Sequence, residues 1–298
     1  MRSVRIPAFA KVNLRLEVLA RRPDGYHELR TIFQTIGLHD TLELSWRRGP
    51  GIELKISWDN PRHAAPLSPG RENLVWRAID AARRELRVGR GLHARLIKSI
   101  PVARGLGGGS SDAAAALVAF QRLADRRIQL PRLLEIAASL GADVPFFLFG
   151  GTALGVGRGD EIYPLPNSPR RTILVVSPTD IGVPTSDAYH WVSRKLTKRR
   201  QPSKIHSFCA LCWSPPGETL ANDFEPAVFR RFPRLAAIKR ALLQSGAAEA
   251  ALAGSGSAVF GVFRNPAQAR RSAQRFPEDA VFVTDSVSRE EVFRFYWH

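Results

Sequence analysis

The residues with the clearest chemical potential form one continuous segment in the first half of the chain. Four glycines lie between residues 105 and 109, and they are followed at once by Ser110-Ser111-Asp112 and a run of alanines. Glycine lets backbone N–H groups approach an anion closely, whereas serine and aspartate commonly begin helices. The alanines predict a helix, and the positive N-terminal end of a helix attracts phosphate. This spacing predicts a phosphate-binding loop, and a flexible linker or tight turn is the alternative.

Three common nucleotide-binding motifs do not fit this segment. No lysine follows the glycines as the P-loop requires, and the glycine spacing does not match the dinucleotide-binding fingerprint. The H-R-D and D-F-G motifs of protein kinases do not occur in the sequence. The segment is therefore a phosphate loop of another kind.

A strand with polar residues on one face precedes this loop. Apolar residues alternate over residues 10–18, and the other face carries Lys11, Asn13, Arg15 and Glu17. This period of two predicts a half-buried strand with Lys11 and Asn13 side by side on one surface. Residues 23–25, with the sequence Pro-Asp-Gly, predict a turn.

Apolar periodicity and turn residues divide the rest of the chain. In the first half we expect strands at residues 32–36, 41–46, 52–58, 92–99, 144–148 and 153–156, and helices at 72–86 and 131–140. In the second half we expect strands at 172–177, 258–263, 280–284 and 292–296, and helices at 186–196, 226–232, 234–245 and 266–276. This mixture is typical of an α+β sandwich, and a boundary near residues 164–169 gives two domains.

The chain is strongly basic. Its 298 residues include 44 Lys and Arg against 27 Asp and Glu, a net charge of +17. Nucleic acid, small anionic ligands or merely solvated arginines would each account for this excess. Because the basic residues are dispersed, nucleic acid is the less favoured partner. No apolar run is long enough for a signal peptide or a membrane span, so we expect a cytoplasmic protein without a membrane partner.

The two cysteines, Cys209 and Cys212, are spaced C-x-x-C. A zinc site would need a second pair or two nearby histidines, and only His206 is close. A redox dithiol would need a preceding strand and a helix N-terminus, which the pattern here does not predict. We interpret both residues as buried, inert thiols.

The glycine segment resembles the phosphate loop of the GHMP kinases over residues 101–115. Residues 7–14 are similar to the first motif of that family, and residues 252–260 are similar to its third. Three motifs in order, spanning residues 7–263, identify the chain as a member of this family. It contains small-molecule kinases such as galactokinase, homoserine kinase and mevalonate kinase.

Further segments resemble one branch of the family, the 4-diphosphocytidyl-2-C-methyl-D-erythritol kinases. They are residues 22–29, 31–34, 141–147 and 222–226. This resemblance implies ATP-dependent phosphorylation of the 2-hydroxyl of the cytidylated methylerythritol, in the non-mevalonate route to isoprenoid precursors. A homoserine or mevalonate kinase is the second interpretation. A non-catalytic protein that binds nucleotide or nucleic acid is the third.

The resemblance also implies roles for individual residues. Lys11 and Asp143 match the catalytic pair. Those that match substrate-binding residues are Asn13, Tyr26, His27 and Tyr189. Tyr26 is implied to stack on cytosine, His27 to hydrogen-bond with it, and Tyr189 to stand where the family usually has phenylalanine. Without the resemblance, Asp143 would be interpreted as a turn-capping residue and Tyr26 as a core aromatic.

The implied co-substrate is ATP, with Mg²⁺. The residues implied to bind ATP are Asn73, near the adenine, and Pro101, Val102, Ala103, Arg104, Gly105, Leu106, Gly107, Gly108, Gly109, Ser110 and Ser111. Ser111 is also a candidate ligand of the metal ion.

The fold that the resemblance implies is the two-domain α+β fold of GHMP kinases. Residues 1–166 would form an N-terminal ribosomal-S5-like domain, and residues 167–298 a C-terminal ferredoxin-like α/β sandwich, with the active site in the cleft between them. The phosphate would pass directly in line from ATP to the substrate. We expect two small-molecule partners, no nucleic acid, and a monomer or homodimer.

Overall fold

Two β-sheets, ten α-helices and one short 3-10 helix (Pro61–His63) form the regular structure in the described part of the chain. The structure, a computed structural model, describes residues 2–193, 205–210 and 220–297. The strands are β1 (Ser3–Arg21), β2 (His27–Arg47), β3 (Ile52–Trp58), β4 (Gly91–Lys98), β5 (Thr152–Val156), β6 (Glu161–Pro164), β7 (Thr172–Ser177), β8 (Ala221–Asn222), β9 (Glu249–Leu252), β10 (Val259–Phe263) and β11 (Ala280–Asp285). The helices are α1 (Leu74–Glu85), α2 (Gly108–Ala124), α3 (Leu130–Leu140), α4 (Val144–Phe149), α5 (Thr185–Ser193), α6 (Ile205–Ala210), α7 (Glu225–Arg231), α8 (Pro233–Gln244), α9 (Pro266–Ala273) and α10 (Arg289–Tyr296).

The first sheet is built around two long antiparallel strands, β1 and β2. Its order is β3-β4-β2-β1-β8, and β5 pairs with another part of β2 and carries β6 on its far side. The second sheet is antiparallel throughout, in the order β11-β7-β10-β9. Helices α1, α2, α3, α4 and α10 bury their apolar residues in one core with the first sheet.

The second sheet is covered on both faces, and its central strand shows why. Along β7, Leu174 and Val176 pack with helices α5, α7, α8 and α9, whereas Ile173 and Val175 pack against the first sheet. Alternate residues of a strand point to opposite faces, so an unbroken apolar run is what a doubly covered strand requires. The resulting layers are helices, first sheet, second sheet and helices.

Strand β1 is longer and more deeply buried than its alternating pattern predicts. Before Phe9, even-numbered residues such as Ile6 and Ala8 belong to the core beneath α2, and after it Ala10 and Val12 face the second sheet. The register of β1 on β2 shifts between Phe9 and Ala10. The pairing skips two residues of β2 here, Gly37 and Leu38, and β1 exchanges its two faces, which turns Lys11 towards the side of the sheet where α2 begins.

Two segments predicted as strands are helices. Residues 144–148 form most of α4, in which every side chain from Val144 to Leu148 is buried. A short apolar run that is buried on all sides has no periodicity to distinguish helix from strand. Residues 292–296 lie in α10, which begins with a capping box between Ser288 and Glu291. That four-residue signature was visible in the sequence.

The two halves of the chain are interleaved rather than cleanly separated. Strand β8 pairs with β1 of the first sheet, and α10 buries Val292 and Tyr296 in the first core. The division into residues 1–166 and 167–298 stays a prediction. Within the described ranges, no helix has the length and apolar character needed to cross a membrane.

Candidate active site

A cavity of about 1040 Å³ collects the predicted site residues from both halves of the chain. From the first half it is lined by Lys11, Asn13, Tyr26, His27, Asn73, residues 101–110 and Asp143. From the second half it is lined by Thr185, Ser186, Tyr189, His190, Ser193, Phe224, Gly254 and Ser255. Every residue implied by the resemblance lines this cavity except Ser111.

The glycine segment forms a tight loop between β4 and α2. Gly107 has a left-handed backbone with φ of 74° and precedes the first residue of α2, and no side chain caps that end of the helix. The first N–H groups of α2 therefore have no side-chain partner of this kind, which is the condition for binding an anion there. A Cβ at Gly107 would lie 2.7 Å from Cζ of Phe147, so the loop has room only for glycine.

Lys11 and Asp143 form an ion pair in the cavity wall next to this loop. The Lys11 Nζ lies 3.4 Å from Oδ2 of Asp143 and donates a hydrogen bond to Oδ1 of Asn13 at 2.8 Å. The Asn13 Nδ2 donates to Oγ1 of Thr31 at 2.6 Å, and this hydroxyl donates to the Arg15 carbonyl. Lys11 is buried, whereas about a third of the Asp143 side chain (32%) is exposed. The ammonium is thus fixed by several partners, and the carboxylate stays open to a ligand.

Asp143 is also close to the start of α2. A Cβ at Gly141 would lie 3.7 Å from Oγ of Ser110, which places the loop before α4 against the first turn of α2. Phosphate bound at that turn would therefore be near the Asp143 carboxylate.

Another part of the cavity wall is aromatic. The rings of His27 and Tyr189 are stacked with their centroids 4.8 Å apart and an angle of 23°, and Phe224 meets Tyr189 edge-on at 4.8 Å. The Nε2 of His27 is 2.5 Å from Oγ of Ser193, which donates to the Tyr189 carbonyl. Tyr26 stands at the rim, 55% exposed, with the guanidinium of Arg158 5.0 Å above its ring.

Burial controls the protonation of these groups. It lowers the pKa of His27, and the nearby charge of Arg21 lowers it further. Because an ordinary histidine already titrates below neutrality, His27 is a neutral ring at pH 7. Burial, followed by the charge of Asp143, raises the pKa of the Tyr189 hydroxyl, which therefore remains protonated.

Ser111, Ser110 and Asn73 differ in how they relate to the cavity. Ser111 is completely buried within α2 and does not line the cavity, because successive residues of a helix point about 100° apart. Ser110 faces the cavity instead. Asn73 is the N-cap of α1, where its Oδ1 accepts from the Val75 N–H at 2.9 Å, so it has a structural role at the cavity edge.

The cysteine motif is only partly described. Cys209 is a free, half-buried thiol, and burial raises its pKa, which favours an unreactive side chain. Cys212 lies outside the described residues, as do residues 194–200 with their dense positive charge. In the ranges that the structure describes, no three His, Cys, Asp or Glu side chains are grouped so as to hold a metal ion.

Comparison with known proteins gives the family. The model of the GHMP kinase N-terminal domain matches residues 73–151, and that of the C-terminal domain matches residues 205–280. The chain is 45% identical to a 4-diphosphocytidyl-2-C-methyl-D-erythritol kinase of Solibacter usitatus, an alignment that covers 99% of this chain and 92% of that one. The chain belongs to the GHMP kinases.

Further similar proteins carry related names. One from Pelotomaculum thermopropionicum, also named 4-diphosphocytidyl-2-C-methyl-D-erythritol kinase, is 40% identical and covers 93% of this chain and 96% of its own. The crystal structure of a 4-(cytidine 5'-diphospho)-2C-methyl-D-erythritol kinase has a TM-score of 0.78 at 33% identity, and covers 95% of this chain and 99% of that one. The α+β GHMP kinase fold and the class of enzyme, a small-molecule kinase, are thereby confirmed.

A buried ionic network beneath the phosphate loop of this GHMP kinase was not anticipated. The Lys98 Nζ donates to Oδ2 of Asp112 at 2.7 Å and to Oδ2 of Asp40, and all three side chains are buried. The other oxygen of Asp40 accepts the backbone N–H groups of Ser99 and Ile100 at 2.6 and 2.8 Å. The network therefore fixes the chain where it leaves β4 for the loop.

The pKa values of Asp112 and Lys98 are both raised in this network. Burial raises the pKa of Asp112 well above its usual range, although the charge of Lys98 opposes this. Burial also disfavours the Lys98 charge, but Asp112 and Asp40 outweigh it and raise the pKa of the ammonium. Lys98 stays protonated and holds the two carboxyl groups together. A signal existed in the sequence: Lys98 follows Leu92, Ala94 and Leu96 at positions that otherwise face the core.

We predict that Lys98→Met destabilises the protein strongly. The substitution leaves two buried carboxyl groups without their cation, and breaking a buried ion pair in this way costs about 3–5 kcal/mol. Urea unfolding near pH 7 measures the loss. The charge of Lys98 holds the pKa of Asp112 down, so this pKa rises further in the variant, where protonation then restores more stability than in the parent. The loss should therefore shrink at about pH 5.

The matched control is Lys55→Met, which removes an exposed lysine 3.4 Å from Glu53. Exposed pairs contribute about 0–1 kcal/mol, so this variant should unfold almost as the parent does. Equal stability of the two variants would show that the Lys98 network does not support the fold.

Proposed function

We propose that this GHMP kinase transfers the terminal phosphate of ATP to the 2-hydroxyl of 4-diphosphocytidyl-2-C-methyl-D-erythritol, in the non-mevalonate synthesis of isoprenoid precursors. The observation that carries the proposal is the layout of one cavity. Its wall contains a helix N-terminus, the pair Lys11 and Asp143, and the stacked rings of His27 and Tyr189. The names of the 45% and 40% identical relatives support the same substrate.

The loop of residues 105–110 and the N-terminus of α2 would hold the phosphates of ATP. Backbone N–H groups and the helix dipole are oriented before the ligand arrives, so they stabilise charge without reorganising. Asn73 caps α1 at the edge of the same cavity, which is the position implied for contact with adenine.

Asp143 would accept or orient the proton of the substrate hydroxyl. Its carboxylate is exposed to the cavity and lies 3.4 Å from the Lys11 ammonium, which helps to place the hydroxyl. Asn13 accepts a hydrogen bond from Lys11 and is itself fixed by donating one to Thr31. Phosphoryl transfer has a loose transition state, so the exact placement of the hydroxyl contributes as much as its deprotonation.

The oxygens that face the phosphate loop suit Mg²⁺ with ATP. This ion is usually held by one or two carboxylates together with phosphate oxygens and water, so it needs no large cluster of protein ligands. The Asp143 carboxylate and the Ser110 hydroxyl line the cavity at the start of α2 and would be its protein ligands. When bound, Mg²⁺ would neutralise part of the charge on the phosphates.

The aromatic part of the cavity wall, formed by Tyr26, His27 and Tyr189, suits a cytosine ring. Tyr26 offers an exposed face for stacking, and His27 and Tyr189 form a stacked pair further inside. Because the Ser193 hydroxyl donates to the Tyr189 carbonyl, the Nε2 of a neutral His27 donates to Ser193 Oγ, which leaves Nδ1 as the hydrogen-bond acceptor for the base. The acyclic substrates of mevalonate and homoserine kinases would leave these rings unused, which favours the cytidylated substrate. The cytoplasmic location and the oligomeric state stay predictions of the sequence.

We predict that Asp143→Asn lowers kcat by about 10²–10⁴, the usual contribution of a positioned general base. The change keeps the shape of the side chain but removes its charge and its proton acceptor. Steady-state assays of ADP release measure the effect. Lys11→Met should also lower kcat, and the double variant should lose less than the product of the single losses because the two residues act as a unit.

The control is Asp187→Asn, which changes an exposed aspartate of α5 that does not line the cavity. It should retain the activity of the parent. A folded Asp143→Asn enzyme with turnover within a few-fold of the parent would contradict the catalytic assignment.

We predict that Tyr26→Ala weakens binding of the cytidylated substrate by roughly 1–3 kcal/mol, the range for stacking of a base on an aromatic ring. ATP affinity should hardly change. Calorimetry with each ligand separates the two effects.

Tyr163→Ala is a closely matched control, since Tyr163 is 54% exposed and lies outside the cavity. It should bind both ligands normally. An equal loss of both ligands in Tyr26→Ala would mean that Tyr26 supports the fold rather than the substrate.

A further inference from the structure

The side chain of Arg104 leaves the phosphate loop and crosses to the second half of the chain. Its Nη1 donates to Oγ of Ser257 at 2.9 Å, and its Nη2 donates to the carbonyl of Thr179 at 3.3 Å. Ser257 is completely buried, and its hydroxyl donates onward to the Ile181 carbonyl at 2.6 Å. The guanidinium is thus anchored to two separate segments, one before α5 and one before β10.

Backbone contacts accompany this side-chain bridge. The Ala258 N–H donates to the Arg104 carbonyl at 3.2 Å. Next to it, the carbonyl oxygen of Ala253 occupies the place that a Cβ at Gly105 would need. The loop therefore lies directly on residues 253–258, and the guanidinium of Arg104 spans the edge of that contact.

The same loop is tied to the catalytic lysine. The Lys11 N–H donates to the Leu106 carbonyl at 3.0 Å, two residues after Arg104. A displacement of the loop would therefore move bound phosphate relative to Lys11 and Asp143. Misplacement of reacting groups by about 1 Å can reduce a rate by about 10²-fold.

We propose that Arg104 is a positioning residue, whose guanidinium holds the phosphate loop against the second half of the chain so that ATP is presented correctly to Lys11 and Asp143. The proposal rests on the function proposed above. It assigns Arg104 a role through Ser257 and Thr179 rather than through direct contact with phosphate. Lysine has a single ammonium in place of the planar fork, so it cannot reproduce both bonds.

The test compares Arg104→Met, Arg104→Lys, Ser257→Ala and the double variant Arg104→Met with Ser257→Ala. ATP affinity is measured by calorimetry without the second substrate, and kcat by ADP release with it. If Arg104 acts by positioning, all three single variants should lose ATP affinity, and kcat should fall between about 10- and 100-fold. The double variant should lose less than the product of the single losses, because both changes break the same link.

Two results would overturn the proposal. One is Arg104→Lys with the properties of the parent together with a normal Ser257→Ala, which would mean that the positive charge contacts phosphate directly. The other is losses that multiply in the double variant, which would mean that the two residues act independently.

Arg234→Met is the control for general loosening, because Arg234 binds Asp180 and Asp279 in the same region but lies outside the cavity. It should keep both ATP affinity and kcat.

The calorimetric arm separates this proposal from the proposed function. If the parent does not phosphorylate the cytidylated substrate, the function is wrong, and ATP affinity still decides whether Arg104 supports the loop. If the parent is active and the variants bind ATP normally, the function stands and the role of Arg104 is wrong.

Discussion

The close approach of two backbone loops is the constraint on which the site depends. The phosphate loop meets residues 253–258 so closely that the Ala253 carbonyl excludes any side chain from Gly105, and a Cβ at Gly254 would lie 3.0 Å from the Gly105 carbonyl oxygen and 3.3 Å from the Lys11 ammonium. Three segments that are distant in sequence thus converge at one point. The glycines are required here because no other residue permits this approach.

Two buried lysines are the second feature on which the site depends. Lys11 lies beside the phosphate loop and Lys98 beneath it, and each is matched by carboxyl or amide oxygens. An unpaired buried charge is strongly destabilising, so these partners allow both lysines to be buried in the folded protein. The net charge of +17 raises the local concentration of anions around the whole protein.

Local signals in the sequence predicted much of the fold. Glycines followed by helix-starting residues located the loop and α2, and a period of two placed Lys11 beside Asn13. The sequence did not reveal the burial of that strand face, because the bulge after Phe9 and the cover from the second half are tertiary features. The strand predicted at 144–148 was wrong because an apolar run alone does not define helix or strand. The strand predicted at 292–296 was wrong because the capping box that begins at Ser288 was overlooked.

Some site residues could be predicted from the sequence and others could not, again because local patterns carry no information on tertiary contacts. Motif similarity placed Lys11, Asp143, Tyr26 and His27 at one cavity, yet it gave no information on helix rotation, so it did not show that Ser110 lines the cavity while Ser111 is buried within α2. The pairing of Lys98 with Asp40 joins residues 58 positions apart, and only the folded sheet brings them together. The link from Arg104 to Ser257 spans 153 positions and has no local signal.

The most direct test of this account is substrate choice. Purified protein with ATP and Mg²⁺ is given 4-diphosphocytidyl-2-C-methyl-D-erythritol, mevalonate, homoserine or methylerythritol without its cytidine diphosphate, and ADP release is followed alongside ³¹P NMR of the product. The account predicts rapid ADP release with the cytidylated compound alone, and one new phosphate on its 2-hydroxyl. Turnover of mevalonate or homoserine at a similar rate, or equal use of methylerythritol without cytidine, would contradict it.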